Sequence, residues 1–93
     1  MIKVYLVEDQ ALVRDAVSAL LSLDFNIDVI GQASNGQEAL NAINALDEGA
    51  MPDIILTDIE MPTMNGIELS EKIATQFPAI KMVIMTTFSR AGY

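Results

Sequence analysis

Four short apolar runs punctuate this chain, separated by three longer stretches in which apolar residues recur every three or four positions. The first run, Ile2 to Val7, is dominated by Val and Ile with Tyr5 as its half-polar position, and predicts a strand. Leu12, Val13, Ala16, Val17, Leu20 and Leu21 then follow helical spacing and predict a helix with one buried stripe, broken by Asp24 and Asn26. A second strand is expected over Ile27 to Ala33, where Ile27, Val29 and Gly31 alternate against Asp28, Ile30 and Gln32. Ser34-Asn35-Gly36 is turn and cap chemistry. A helix follows with Ala39, Leu40, Ile43 and Leu46 inward, closing near Gly49.

After the loop Met51-Pro52-Asp53, Ile54 to Thr57 reads as a short strand buried on both faces. A loop with Pro62 runs from Met61 to Asn65, then a helix from Gly66 to Gln76 is expected to bury Ile67, Leu69 or Ser70, Ile73 and Ala74. Phe77-Pro78 stops that helix, and Lys81 to Thr86 forms the fourth strand. The order βαβαβαβ, with crossovers long enough for helices, selects a parallel sheet with right-handed connections. The fold class is α/β, a flavodoxin-like doubly wound sheet in the order 2-1-3-4. Few residues follow the fourth strand, so the expectation is one domain over residues 1–93, incomplete at its C-terminus, with no DNA-binding domain.

In such a sheet, ligands gather at the carboxyl ends of the strands. Strand one ends in Glu8-Asp9, strand three in Asp58 and strand four in Thr86-Thr87, and strands one, three and four are neighbours. Three carboxylates in a chain with no histidine and no cysteine suggest a hard cation beside an acidic nucleophile. Asp9 and Asp58 can ligate Mg²⁺, with Glu8 nearby through water and the Glu60 carbonyl directed at the same ion. Asp58 is the natural nucleophile, since attack on phosphorus needs charge neutralisation and alignment but no general base. Thr86 is placed to hydrogen-bond a phosphoryl oxygen. The plain alternatives are helix capping by Glu8, Asp9 or Asp58, ordinary strand residues at Thr86-Thr87, and a turn and cap at Asn35-Gly36.

Composition narrows the classes further. A 93-residue chain with 52% hydrophobic residues and a mean hydropathy of +0.36 folds around a core of its own. The net charge of −8, with five scattered basic residues, argues against direct nucleic-acid binding. No apolar stretch approaches a membrane span, no signal peptide is visible, and the absence of cysteine is compatible with a cytoplasmic location.

Glu8-Asp9-Gln10, Asp58-Ile59-Glu60-Met61-Pro62, Asn65-Gly66 and Met85-Thr86-Thr87, all in order, make the chain resemble a bacterial response-regulator receiver domain along its whole length. The resemblance implies the CheY-like form of the sheet, Asp58 as phosphoacceptor, and Thr86 as switch hydroxyl. It also implies that Glu8, Asp9, Asp58 and the Glu60 carbonyl hold Mg²⁺, and that Gly66 opens the helix after the phosphorylation loop. Thr87 to Tyr93 and the residues flanking both acidic motifs resemble receivers preceding a LuxR-type helix-turn-helix, among them the regulators of membrane-lipid desaturation. What this implies is a phosphorylation-dependent switch of a two-component system, not an enzyme beyond its own phosphorylation and dephosphorylation. Its implied partner is a sensor histidine kinase, and DNA is reached only through an absent domain.

The chain departs from that family at its far end, where a fifth strand with its lysine and aromatic residue and the last helices do not occur. Lys81, Lys72 and Lys3 are misplaced to stand in for that lysine. An open strand-four edge predicts a homodimer through strand four and the tail Phe88 to Tyr93. Two rival readings remain. A phosphatase of the haloacid-dehalogenase type wants a second aspartate where Glu60 stands, and a non-catalytic interaction module would keep the fold without the chemistry.

Overall fold

The computed structural model describes residues 1–85, so Thr86, Thr87 and the tail Phe88 to Tyr93 lie outside the described residues. Four parallel strands, β1 (Ile2–Val7), β2 (Ile27–Ala33), β3 (Ile54–Asp58) and β4 (Lys81–Met85), form one sheet in the order β2-β1-β3-β4. Three helices, α1 (Ala11–Leu21), α2 (Gly36–Asn44) and α3 (Gly66–Gln76), provide the crossovers. Right-handed connections put α1 on one face and α2 with α3 on the other, because the chain steps outward to β2 and then back across β1.

The main core lies on the α2–α3 face. Tyr5 and Val7 of β1 and Ile55 of β3 meet Ala39, Leu40 and Ile43 of α2 and Leu69 and Ile73 of α3. Ile43, Ile55, Leu69 and Ile73 are wholly removed from water. Burial of each contributes about 1.5–3 kcal/mol relative to exposure. On β1, every residue from Val4 to Val7 is buried, as expected of a central strand covered on both faces. At the edge, β2 carries a bulge: Val4 pairs with Val29 but Tyr5 pairs with Gly31. Ile30 is thereby released from simple alternation and packs against the core. The Tyr5 ring occupies the space a side chain at Gly31 would need, with its Cε2 2.5 Å from the position of a Cβ there.

Several expected details are corrected. In α1 no residue is fully buried; Leu12 is 83% exposed and Leu20 67% exposed. Val13, Val17 and Leu21 form the half-buried edge of the helix, and Leu12, Ala16 and Leu20 lie a step of the helix away, on the exposed side. The apolar stripe is wider than the strip of β1 and β2 beneath it. On α3, Gly66, Leu69 and Ile73 are buried, whereas Ile67 and Ala74 are exposed, since a single sheet face accepts only the 66-69-73 row. α2 stops at Asn44, before Gly49, and a 3-10 turn over Glu48–Ala50 completes the descent to β3. β3 extends through Asp58, and its Ile54 and Leu56 are half-buried, so the α1 side of this strand is not closed. On β4, Val83 and Ile84 remain exposed at the sheet edge.

Candidate functional site

The carboxyl ends of the strands converge as their register demands. Val7 pairs with Thr57, which sets Glu8 and Asp58 side by side at the next step. Glu8 is wholly buried, Asp58 is 2% exposed and Asp9 is half-buried. One carboxylate oxygen from each of the three lies within 4.8 Å of the others. Asp9 and Asp58 thus occupy the same end of the sheet.

Backbone donors orient these acids. Glu8 continues the ladder by donating its N–H to the Ala33 carbonyl at 3.0 Å, and its Oε2 accepts the Gln10 N–H at 2.8 Å. The Arg14 guanidinium donates to the Glu8 carbonyl at 2.8 Å, leaning α1 against the strand end. Asp58 Oδ1 accepts the N–H of Ile59 at 2.9 Å, and the Thr57 hydroxyl donates to the Asp58 carbonyl at 2.9 Å. Burial pushes the Glu8 carboxyl above its ordinary value; the Gln10 N–H pulls it down, and Asp9 and Asp58 push it up further.

Gathering three carboxylates in a largely desolvated site is costly unless positive charge joins them. The donor set is all hard oxygen, in a chain without histidine or cysteine, so the cluster fits a divalent cation of the Mg²⁺ type.

The capping alternatives divide. The N-cap position of α1 is Gln10, whose own side chain makes no cap bond, and the Glu8 carboxylate takes the Gln10 N–H while staying within the acidic cluster. Asp58 opens no helix, because residues 59–65 form a loop before α3 begins. Asn35, by contrast, is a plain cap, accepting the Glu38 N–H at 2.8 Å.

An open cleft of about 380 Å³ adjoins the acids, lined by Asp9, Ile59, Glu60, Met61, Pro62 and Asn65. Glu60 is exposed on its wall. Gly66 closes the loop at its base: its N–H donates to the Ile59 carbonyl at 2.8 Å, and a Cβ there would strike the Asp58 carbonyl oxygen. Only glycine lets α3 start this close to the acid. Three features of the loop were missed by sequence reasoning. Asn65 and Glu68 form a capping box on α3, a spacing visible in the sequence. Met64 is 8% exposed, and Thr63 has a positive φ of 69°. No local signal marks either.

Thr86 lies outside the described residues; Met85, just before it in sequence, pairs with Asp58. Lys81 pairs with Ile54 at the opposite rim, Lys3 donates to the Gly49 carbonyl at 3.1 Å near that rim, and Lys72 is exposed on α3. None of these lysines reaches the acids. Among the described residues, no helix is long and apolar enough to cross a membrane.

Comparison with known proteins agrees with this geometry. Residues 4–93 match the family model of the response regulator receiver domain. The chain is 42% identical over 93 residues to the transcriptional regulatory protein YvfU of Bacillus subtilis, covering all of this chain and 44% of that protein. It is 34% identical to the transcriptional regulatory protein DesR of the same organism, with the same two coverages. A solved DNA-binding response regulator of the LuxR family from Staphylococcus aureus superposes with a TM-score of 0.82 at 32% identity, over 100% of this chain and 74% of that one. The chain therefore spans less than half the length of these curated relatives. It belongs to the response regulator receiver domain family.

Proposed function

We propose that this chain is a phosphorylation switch in which Asp58 accepts a phosphoryl group from a sensor histidine kinase. The observation that carries the reading is the closeness of the Asp58 carboxylate to those of Glu8 and Asp9, all within 4.8 Å at the ends of adjacent strands. Glu8, Asp9, Asp58 and the main-chain carbonyl of Glu60 would hold Mg²⁺. When bound, the ion would neutralise charge on the incoming phosphoryl oxygens. A carboxylate oxygen of Asp58 attacks phosphorus, the bond from phosphorus to the donor's imidazole nitrogen breaks, and an acyl phosphate forms on Asp58. The backbone bond from Ile59 to Asp58 Oδ1 limits rotation of the nucleophile, and the Gln10 N–H does the same for Glu8.

The new phosphate adds a charge of about −1.5 to −2 near neutral pH. In this reading Thr86 hydrogen-bonds a phosphoryl oxygen, and its movement remodels the segment after β4. In the longer protein, dimerisation and DNA binding by a separate helix-turn-helix domain would follow. Homodimerisation through the β4 edge and the tail Phe88 to Tyr93 belongs to the same proposal. Membership in the receiver family removes the support for a phosphatase acting on free esters.

The test is incubation of the full-length protein with Mg²⁺ and acetyl phosphate, followed by intact-mass measurement. One acid-labile, hydroxylamine-sensitive phosphoryl group is expected, with none on Asp58→Asn. Equal uptake by that variant would falsify Asp58 as acceptor, and no uptake by the wild type would favour an interaction module that keeps only the fold.

A further inference from the structure

The loop of residues 59–65 is tied at its base by the Gly66 N–H on the Ile59 carbonyl, which fixes its ends but not its middle. The middle is held from a different element. Gly36, the first residue of α2, donates its N–H to the Met64 carbonyl at 3.0 Å. A Cβ at Gly36 would stand 2.6 Å from that oxygen and 2.9 Å from Met64 Cγ, so the two segments are in direct apposition. The Met64 side chain is itself buried in the core with Ala39 and Leu40.

Just before this anchor the chain makes a three-residue turn. The Met64 N–H donates to the Pro62 carbonyl at 2.8 Å, with Thr63 between them at φ 69°. A β-branched residue disfavours that region, and such a conformation persists only when its surroundings over-determine it. Here Pro62 presets φ on one side, and Met64 is fixed through both its carbonyl and its side chain on the other. An exposed loop held less firmly would relax Thr63 to negative φ. The same short loop carries Glu60 and forms the cleft wall beside Asp9.

Resting on the phosphoryl-switch reading, we propose that Met64 is a positioning residue whose clamp on Gly36, acting through the strained turn at Thr63, aims the Glu60 carbonyl at the metal. Supports of this kind, which hold a ligand without touching the ion, typically change metal affinity by about 10–100-fold when removed.

The test titrates the chain with Mg²⁺ alone by calorimetry and measures thermal unfolding of each variant without metal. Thr63→Gly holds φ 69° without strain, so its unfolding temperature should hold or rise, its Mg²⁺ binding should stay within about twofold of wild type, and added to Met64→Ala it should recover most of the affinity lost there. Met64→Ala should weaken binding about tenfold, and Met64→Leu, which keeps an apolar anchor, should stay within about twofold of wild type. Wild-type binding by Met64→Ala, or failure of Thr63→Gly to recover any affinity in that background, would reduce the clamp to a structural contact and overturn the proposal. The reading of the site survives that result as long as the wild type binds Mg²⁺ and Asp58→Asn does not. A wild type that binds no Mg²⁺ overturns both.

Discussion

Replacing Glu8 by glutamine should stabilise the metal-free protein at neutral pH and weaken its response to Mg²⁺. The side chain is wholly buried, and glutamine has nearly the same shape with an oxygen that can still accept the Gln10 N–H. What changes is charge. At 4.8 Å, a pair of like charges repels by about 3 kcal/mol at an effective dielectric near 20, and Asp9, being half-exposed, is screened to less than this. A net gain of about 1–3 kcal/mol is expected without divalent cations. In a domain of this size, each kcal/mol raises the melting temperature by about 4–8 °C.

The pH dependence supplies the sign. The folded-state pKa of Glu8 is raised above its ordinary value of 4.5, chiefly by burial. A carboxyl shifted upward favours the folded state most below its unfolded pKa, and that contribution is lost as pH rises through the folded pKa. Metal-free wild type should therefore lose stability from pH 4.5 upward, in a component that Glu8→Gln lacks. With Mg²⁺ at about 100 times its dissociation constant, the wild type regains about 2.7 kcal/mol, and the variant less. Thermal melts across pH 4 to 8, with chelator or with Mg²⁺, measure both effects. A variant less stable than wild type in chelator at pH 7, or a wild type indifferent to Mg²⁺, would refute the account of the acidic cluster.

Three further expectations follow from packing. Gly66→Ala drives a methyl group into the Asp58 carbonyl oxygen and within 3.2 Å of Ile59 Cα. It should cost about 1–3 kcal/mol in urea unfolding, with lower phosphoryl uptake because Asp58 must shift. Leu12→Ser removes a side chain that is 83% exposed and should change stability by no more than about 0.5 kcal/mol. Leu69→Ala, at a site closed to water, should cost about 2–5 kcal/mol in the same assay.

The contrast between Leu12 and Leu69 also marks where periodicity stops being informative. Both lie in helical apolar rows of similar strength, but a row states only that a face is apolar, not how much of it a partner covers. α3 lies with α2 over the main core, and its 66-69-73 row is buried, while α1 leans on two strands and leaves Leu12, Ala16 and Leu20 outside. The strand order was legible because crossover length and handedness leave few alternatives. The acid cluster was legible for the same reason: Glu8 and Asp9 directly follow β1 and Asp58 ends its neighbour β3, so topology alone brings them together. The loop between Asp58 and Gly66 follows different rules. Thr63 has no intrinsic preference for φ 69°, and Met64 gains its anchor from Gly36, nearly thirty positions earlier in the chain. Such a conformation is imposed by tertiary contact against local propensity, which is why no window of sequence announces it. That conflict is tolerated beside the acids and nowhere else among the described non-glycine residues, as expected if the loop's shape serves the site rather than the fold.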